Sequence, residues 1–520
     1  MKKMLFVTSM LIIASMILAA CGAPAAPATE APAATAATVA TEAPAATAAP
    51  AATEAPAATE GPTAVPATPS PTPFPAPAEC QSGMTCIRWY IGLGTGATAS
   101  QLPAEQAVVD DFNADPARAT DHIQLVMEVV VNAAARDQVL TEIASGNGPD
   151  VIGPVGWAGS NQLHGQWLDL KDRIAKIPDI TAQFSPALLK SYESSEGQVG
   201  LPFTVYPSAI FYNTALFDQA GLNYPPAKYG DKYKMPDGSM VDWSWDTVQQ
   251  ISQLLTVDGN GKHSGEDGFD KAKIAQYGFS WNFEGQPSYL GTFWANGAFV
   301  AADGKTAQLP QAWKDSWSWT YDGTWGDKPF IPNGIVGASA DFGSGNVFNS
   351  GKVAMIDQPA WYTCCMGDVK TWDVGTMPSY KGKVNGRVDA DTFRIWKGTK
   401  NPDAAFTVLT YLVTTGVQKL IIGSDAMPAA YGAVPARSAD WAPWLAAKKI
   451  AFPWVKNWDT LTAGLDYPDS PSAEAYMPNY NEAWTRGQTF YTLMTNTGGL
   501  DLAKEEATFL TDLQAIFDKK

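Results

Sequence analysis

The sequence predicts an α/β protein built as two lobes. Two observations carry that expectation. Strand-like and helix-like segments alternate from residue 87 onward, the pattern of βαβ units and a mostly parallel sheet. About 440 residues follow Cys80, too many for one compact core. In sheets of this kind, ligands bind in the crevice at the carboxyl ends of the strands.

The elements follow in order. Ile87–Ile91 reads as a strand, and Gly92-Leu93-Gly94-Thr95-Gly96 as a glycine-rich turn. Residues 103–113 have helical periodicity, and Ile123–Val131 is a β-branched run typical of a buried strand. Ala135–Ala144 is helical and stops at Asn147-Gly148-Pro149, before the next strand at Asp150-Val151-Ile152. The expected crevice therefore takes Gly94–Gln101, with Thr95 and Gly96 foremost, together with Asn132 and Pro154–Ser160.

The first 79 residues cannot join that fold. Lys2 and Lys3 precede an apolar run, Met4–Ile17, too short for a stable membrane span, so residues 1–20 read as a signal peptide. Leu18-Ala19-Ala20-Cys21 resembles the lipobox of bacterial lipoproteins. The resemblance implies cleavage before Cys21 and lipidation of its sulfur, anchoring the chain on the outer side of a cell membrane. Residues 22–79 are nearly all Ala, Pro and Thr, and ATEAPAAT recurs at 28–35, 40–47 and 52–59. Such a segment has little apolar surface to bury and is expected to be disordered. Extended at about 3.1 Å per residue it would reach roughly 180 Å.

Composition excludes some partners. The formal charge is −17 and the pI about 4.6, so nucleic acid, which needs basic stripes, is not expected. Apart from Cys21 there are four cysteines: Cys80, Cys86, Cys364 and Cys365. An oxidising compartment favours pairing, and three connectivities exist. The local one, Cys80 with Cys86 and Cys364 with Cys365, is favoured because cross-pairing needs distant segments to meet. A Cys364–Cys365 bond facing a ligand competes with two buried thiols. The spacings do not fit zinc. Asp258-Gly259-Asn260-Gly261-Lys262 starts like a calcium loop, but Lys262 and His263 break the register, leaving a turn. No metal or cofactor is expected.

Residues 145–170, SGNGPDVIGPVGWAGSNQLHGQWLDL, resemble the signature of solute-binding proteins of ABC importers, in the carbohydrate branch that includes maltose-binding protein. Segment 197–226, the run Phe348–Met355, Trp372–Pro378, helix 399–414 and Val434-Pro435-Ala436-Arg437 follow in the family's order. The resemblance covers roughly residues 87–518. It implies the type II periplasmic-binding-protein fold, with ligand held between lobes joined by hinge crossings. By analogy, residues 80–205 with 392–436 form lobe 1, and 206–391 with 437–520 form lobe 2. It further implies a monomeric receptor, not an enzyme, that binds a sugar or oligosaccharide, closes, and presents it to the permease subunits of an ABC importer.

Nineteen tryptophans are present, ten of them between 243 and 372. A sugar cleft needs flat aromatic platforms and fixed polar groups, although tryptophan also fills cores. By position in the family, Trp157, Tyr206, Trp361 and Trp484 are ligand candidates. Asp391, near the second crossing, is an acceptor or a hinge cap. Trp281, Asn282 and Tyr289 are second-lobe candidates, and Tyr362 adjoins Trp361. A secreted glycosidase, with carboxylates such as Asp341 and Asp357, is one rival. A polysaccharide adhesin, a sensor subunit, or a receptor for a polyol or glycerophosphodiester are others.

Overall fold

The computed structural model describes residues 77–519 except 283–284, 365, 367–368, 425–426, 428 and 471. Residues Pro73–Lys520 form one compact unit. The signal peptide, Cys21 and nearly all of the Ala/Pro/Thr segment lie outside the described residues. So do Cys365 and the side chain of Cys364.

The chain enters through a disulfide, Cys80–Cys86, with Cα atoms 5.9 Å apart. It then builds β1 (Thr85–Ile91), α1 (Leu102–Ala114), β2 (Ile123–Val129), α2 (Asn132–Ala144), β3 (Val151–Val155) and the short α3 (Trp157–Asn161). Proline sits at the start of α1, where its missing N–H costs nothing. Ala104, Val108 and Phe112 recur every four residues and bury one face of that helix. β1 pairs in parallel with β2, from Thr85 opposite Ile123 to Ile91 opposite Val129, and with β3 on its other edge.

β4 (Leu201–Asn213) is thirteen residues long and buried throughout. Beyond it lie α4 (Trp245–Leu255), β5 (Val257–Asp258), β6 (Ile274–Ser280), α5 (Gln311–Trp325), β7 (Val353–Pro359), β8 (Trp372–Gly375), β9 (Val388–Ile395), α6 (Pro402–Val413), β10 (Val434–Pro435), α7 (Tyr480–Asn496) and α8 (Leu502–Phe517). The described strands form a ten-stranded sheet ordered β2-β1-β3-β9-β4-β7-β6-β5, with β8 and β10 also on β4. Each end of this sheet contains parallel pairs, β1 with its neighbours and β6 with β7. The middle does not: β9 runs antiparallel to both β3 and β4, and β4 antiparallel to β7. The sheet is therefore mixed rather than mostly parallel, because β4 and β9 carry the chain across in opposite directions. The first half of β4 pairs with β9, and the second half with β7 and β8.

The tryptophan wealth is largely a core. Trp245 stacks on Trp294 at 5.3 Å, and Trp281 stacks on Phe293 at 5.4 Å. Trp313, Trp317 and Trp319 on α5 are buried beside them. Rings of this size bury 150–250 Å² each and dominate packing. The segment Pro402–Ile422 is long and apolar enough to cross a membrane. In the fold, its Ala405, Val408, Leu409, Leu412 and Val413 are buried in the same core as β1, β3, β4 and β9.

Candidate functional site

Where β4 and β9 cross, their side chains meet the loops after β1 and β3. Pairing sets Asp389 opposite Tyr206 and Asp391 opposite Thr204, with the register slipping between Asp391 and Thr392. Such a bulge re-aims side chains locally. The result is a cavity of about 450 Å³ lined by Gly94, Thr95, Gly156, Tyr206, Trp361, Asp389, Asp391 and Glu474, among others. Two glycines permit the close approach. A side chain on Gly94 would stand 2.5 Å from the Pro154 carbonyl, and one on Gly156 would stand 2.9 Å from Asp391 Oδ1.

The cavity wall is acidic and tightly braced. Trp361 donates its indole N–H to Asp389 Oδ2 at 3.0 Å. Arg387 reaches Asp389 at 2.7 Å and Glu474 at 3.5 Å. Its guanidinium also lies 3.4 Å above the ring centre of Tyr289, whose hydroxyl donates to Glu474 at 2.8 Å. Asp391 has no such brace: its carboxylate has no hydrogen-bond partner among the described residues. Burial, then the negative charges of Asp389 and Glu474, raise it to about 7. Glu474 is pushed up by the same causes, burial first and Asp389 second. Burial and Asp391 also raise the Tyr206 phenol, so it stays a neutral hydroxyl. The wall thus offers fixed acceptors, a neutral hydroxyl and an indole face.

The sequence candidates are dispersed. Thr95, Tyr206, Trp361 and Asp391 line this cavity. Tyr289 and Trp484 stand behind it, edge to face at 5.6 Å. Gly96 also stands outside the lining, holding φ +106° in the turn beside Tyr431. Trp281, Asn282 and Tyr362 belong to the interior. Trp281 donates to Thr320, Asn282 accepts the Val347 N–H, and Tyr362 donates to Asn346. Asn132 donates to the Gly92 carbonyl instead of facing the cavity. Trp157 lines a second cavity of about 730 Å³, to which Val388 and Arg394 of β9 also contribute.

Sequence reasoning missed Asp389, Glu474 and Arg387. Asp389 was within reach, because it and Asp391 stand two apart on a strand and so share a face. Of the rival carboxylates, Asp341 is exposed and Asp357 is fully buried, and neither lines the cavity. The Asp258 turn is self-contained, its carboxylate accepting the N–H groups of Asn260, Lys262 and Asp270. No cluster of metal-ligating side chains occurs among the described residues.

Two α/β halves, a pair of crossing strands and a polar cavity at the crossing define a two-lobed solute receptor. The sequence model described as bacterial extracellular solute-binding protein matches residues 95–419, more than half the chain, and the protein belongs to that family. The family is extracellular, which places the chain outside the cytoplasm, and its members bind solutes rather than transform them. No curated protein matches by sequence. Among solved structures, UspC of M. tuberculosis is 18% identical with a TM-score of 0.61, over 84% of this chain and 99% of that one. An ABC substrate-binding protein from Listeria monocytogenes, in complex with cycloalternan, is 17% identical at TM-score 0.58, over 84% and 100%. The sugar-binding protein MalE from Xanthomonas citri is 14% identical at TM-score 0.60, over 83% and 97%. At these identities the likeness establishes the type II two-lobed fold.

Proposed function

We propose that this protein is a membrane-tethered receptor that takes a sugar or oligosaccharide between its lobes, closes on it, and delivers it to the permease of an ABC importer. The observation that carries the reading is the cavity at the crossing. Trp361 supplies a flat face for sugar C–H groups, and Asp389, Asp391 and Glu474 supply acceptors for sugar hydroxyls. Lobe 1 is taken as residues 80–205 with 392–436, and lobe 2 as 206–391 with 437–520. Contacts between segments on the two sides support a closing motion at the crossings. Asn161 donates to the Glu474 carbonyl at 2.5 Å, and His164 stacks on Tyr476 at 3.7 Å. Ligand contact is assigned first to Thr95, Tyr206, Trp361 and Asp391. Trp157 is assigned to the adjoining cavity, and Tyr289 and Trp484 to the support behind the wall. Lipidation at Cys21 and the Ala/Pro/Thr leash would hold the receptor near its permease at high effective concentration. The receptor is taken to act as a monomer.

The test is intrinsic tryptophan fluorescence, titrated with a panel of mono- and oligosaccharides. A saturable change at micromolar sugar, worth roughly −8 kcal/mol, with the sugar recovered unaltered, is the expected result. No response across the panel, or breakdown of the sugar, overturns the reading.

A further inference from the structure

The second cavity contains a cation with nothing to hold. Arg394 is 1% exposed, and its Nε and Nη2 are buried with no hydrogen-bond acceptor. Its guanidinium lies 4.8 Å from the ring centre of Trp157 and 5.4 Å from that of Trp167. Indole faces attract a cation, but they accept none of its N–H bonds. Glu196 supports this charge through space, but a buried charge without a hydrogen-bonded anion is costly. The nearby carboxylates are engaged elsewhere. Glu196 accepts the Trp167 N–H at 2.9 Å and meets His164 at 3.4 Å. Asp469 accepts the Val388 N–H at 2.8 Å through Oδ1. Yet Arg394 lines about 730 Å³ of space, so its edge at Nη1, the guanidinium nitrogen not closed to solvent, has room for a ligand.

The chemistry of that edge is specific. An Nη1–H of a guanidinium donates a charge-assisted hydrogen bond to a carboxylate oxygen. Glu193, Glu196 and Asp469 also line the cavity, against Lys190 and Arg394. That balance favours a monoanion over a phosphate dianion. We infer that this cavity receives the carboxylate of an acidic sugar, held through Nη1 of Arg394 beside Trp157 and Trp167. The inference rests on the sugar-receptor reading and narrows its substrate class to uronate-bearing saccharides.

The experiment compares trigalacturonate, its neutral methyl ester, maltotriose and glucose 6-phosphate by tryptophan fluorescence. The acid is expected to bind roughly tenfold or more tighter than the ester. Arg394→Gln should abolish that preference while leaving the ester's affinity in place, and Arg394→Lys should restore only part of it. Equal binding of acid and ester by the native protein overturns the inference, as does a preference that survives Arg394→Gln. Tighter binding of glucose 6-phosphate than of the uronide overturns the carboxylate assignment. Should Arg394→Gln not fold, the native acid-against-ester comparison still decides. Binding of maltotriose with no uronide preference removes this inference alone, whereas silence toward every sugar removes the receptor reading itself.

Discussion

Arg387 and Arg394 flank the second crossing, and both are buried. Their surroundings are opposite. Arg387 is enclosed by Asp389, Glu474 and the Tyr289 ring. Arg394 has two indole faces and no hydrogen-bonded anion. The first arginine organises acceptors around a cavity; the second is itself the donor presented to one. Burial alone therefore does not assign a role to a charged side chain. What matters is whether its hydrogen bonds are already made.

The largest expected effect separates these two residues. Arg387→Met strips the cation from Asp389 and Glu474 and should destabilise the protein by about 3–5 kcal/mol near neutral pH. Arg394→Met removes an unpaired charge and should change stability by less than about 1 kcal/mol, because lost ring attraction offsets relieved desolvation. Chemical denaturation of both variants measures the gap, and equal losses would erase the distinction.

Asp391 gives the next largest effect. Its folded-state value of about 7 lies above that of an unfolded aspartate, about 3.9. Ionising it therefore opposes folding, and stability is lost as pH rises from about 4 to 7. Asp391→Asn should match the native protein near pH 4 and exceed it by roughly 1–3 kcal/mol above pH 7. Burial moves Arg394 the other way, down to about 10, which leaves it charged throughout this range. A uronate preference carried by Arg394 should accordingly hold from pH 6 to pH 8, while contacts made by Asp391 change.

Smaller effects follow. Trp361→Ala should weaken sugar binding by about tenfold, the worth of one stacked ring with its anchor, and titration of the variant checks it. Tyr476→Ala removes the stack on His164 and should cost less than about 1 kcal/mol of stability.

Much of the first lobe's framework was legible because its signals are local. The β-branched run at 123–131 and the periodicity at 103–113 became β2 and α1 within a residue or two. The loops after β1 and β3 line the cavity for the general reason that parallel strands point their carboxyl ends there. The cavity's far wall was not legible. Glu474 arrives from 83 residues beyond Asp391 in sequence, and no local pattern announces that meeting. The slip between Asp391 and Thr392 has no glycine or proline on its own strand, and Pro202, which faces Thr392 from β4, lies 190 residues away in sequence. Trp281 and Tyr362 illustrate a different difficulty. Composition cannot tell a stacking platform from a core ring, since both are large flat apolar groups.

The Cys80–Cys86 bridge has a mechanical consequence. Cys86 lies inside β1, which is flanked by β2 and β3 and pairs with β2 from Thr85 to Ile91. A pull on the N-terminal segment passes through the sulfurs at residue 80 and enters the fold at residue 86, leaving residues 81–84 slack. The load then falls on a central strand along its own axis, in shear across many hydrogen bonds at once, instead of peeling them open one after another. Reduction of the bridge would return residues 81–84 to the line of force and lengthen the tether before the sheet felt any tension.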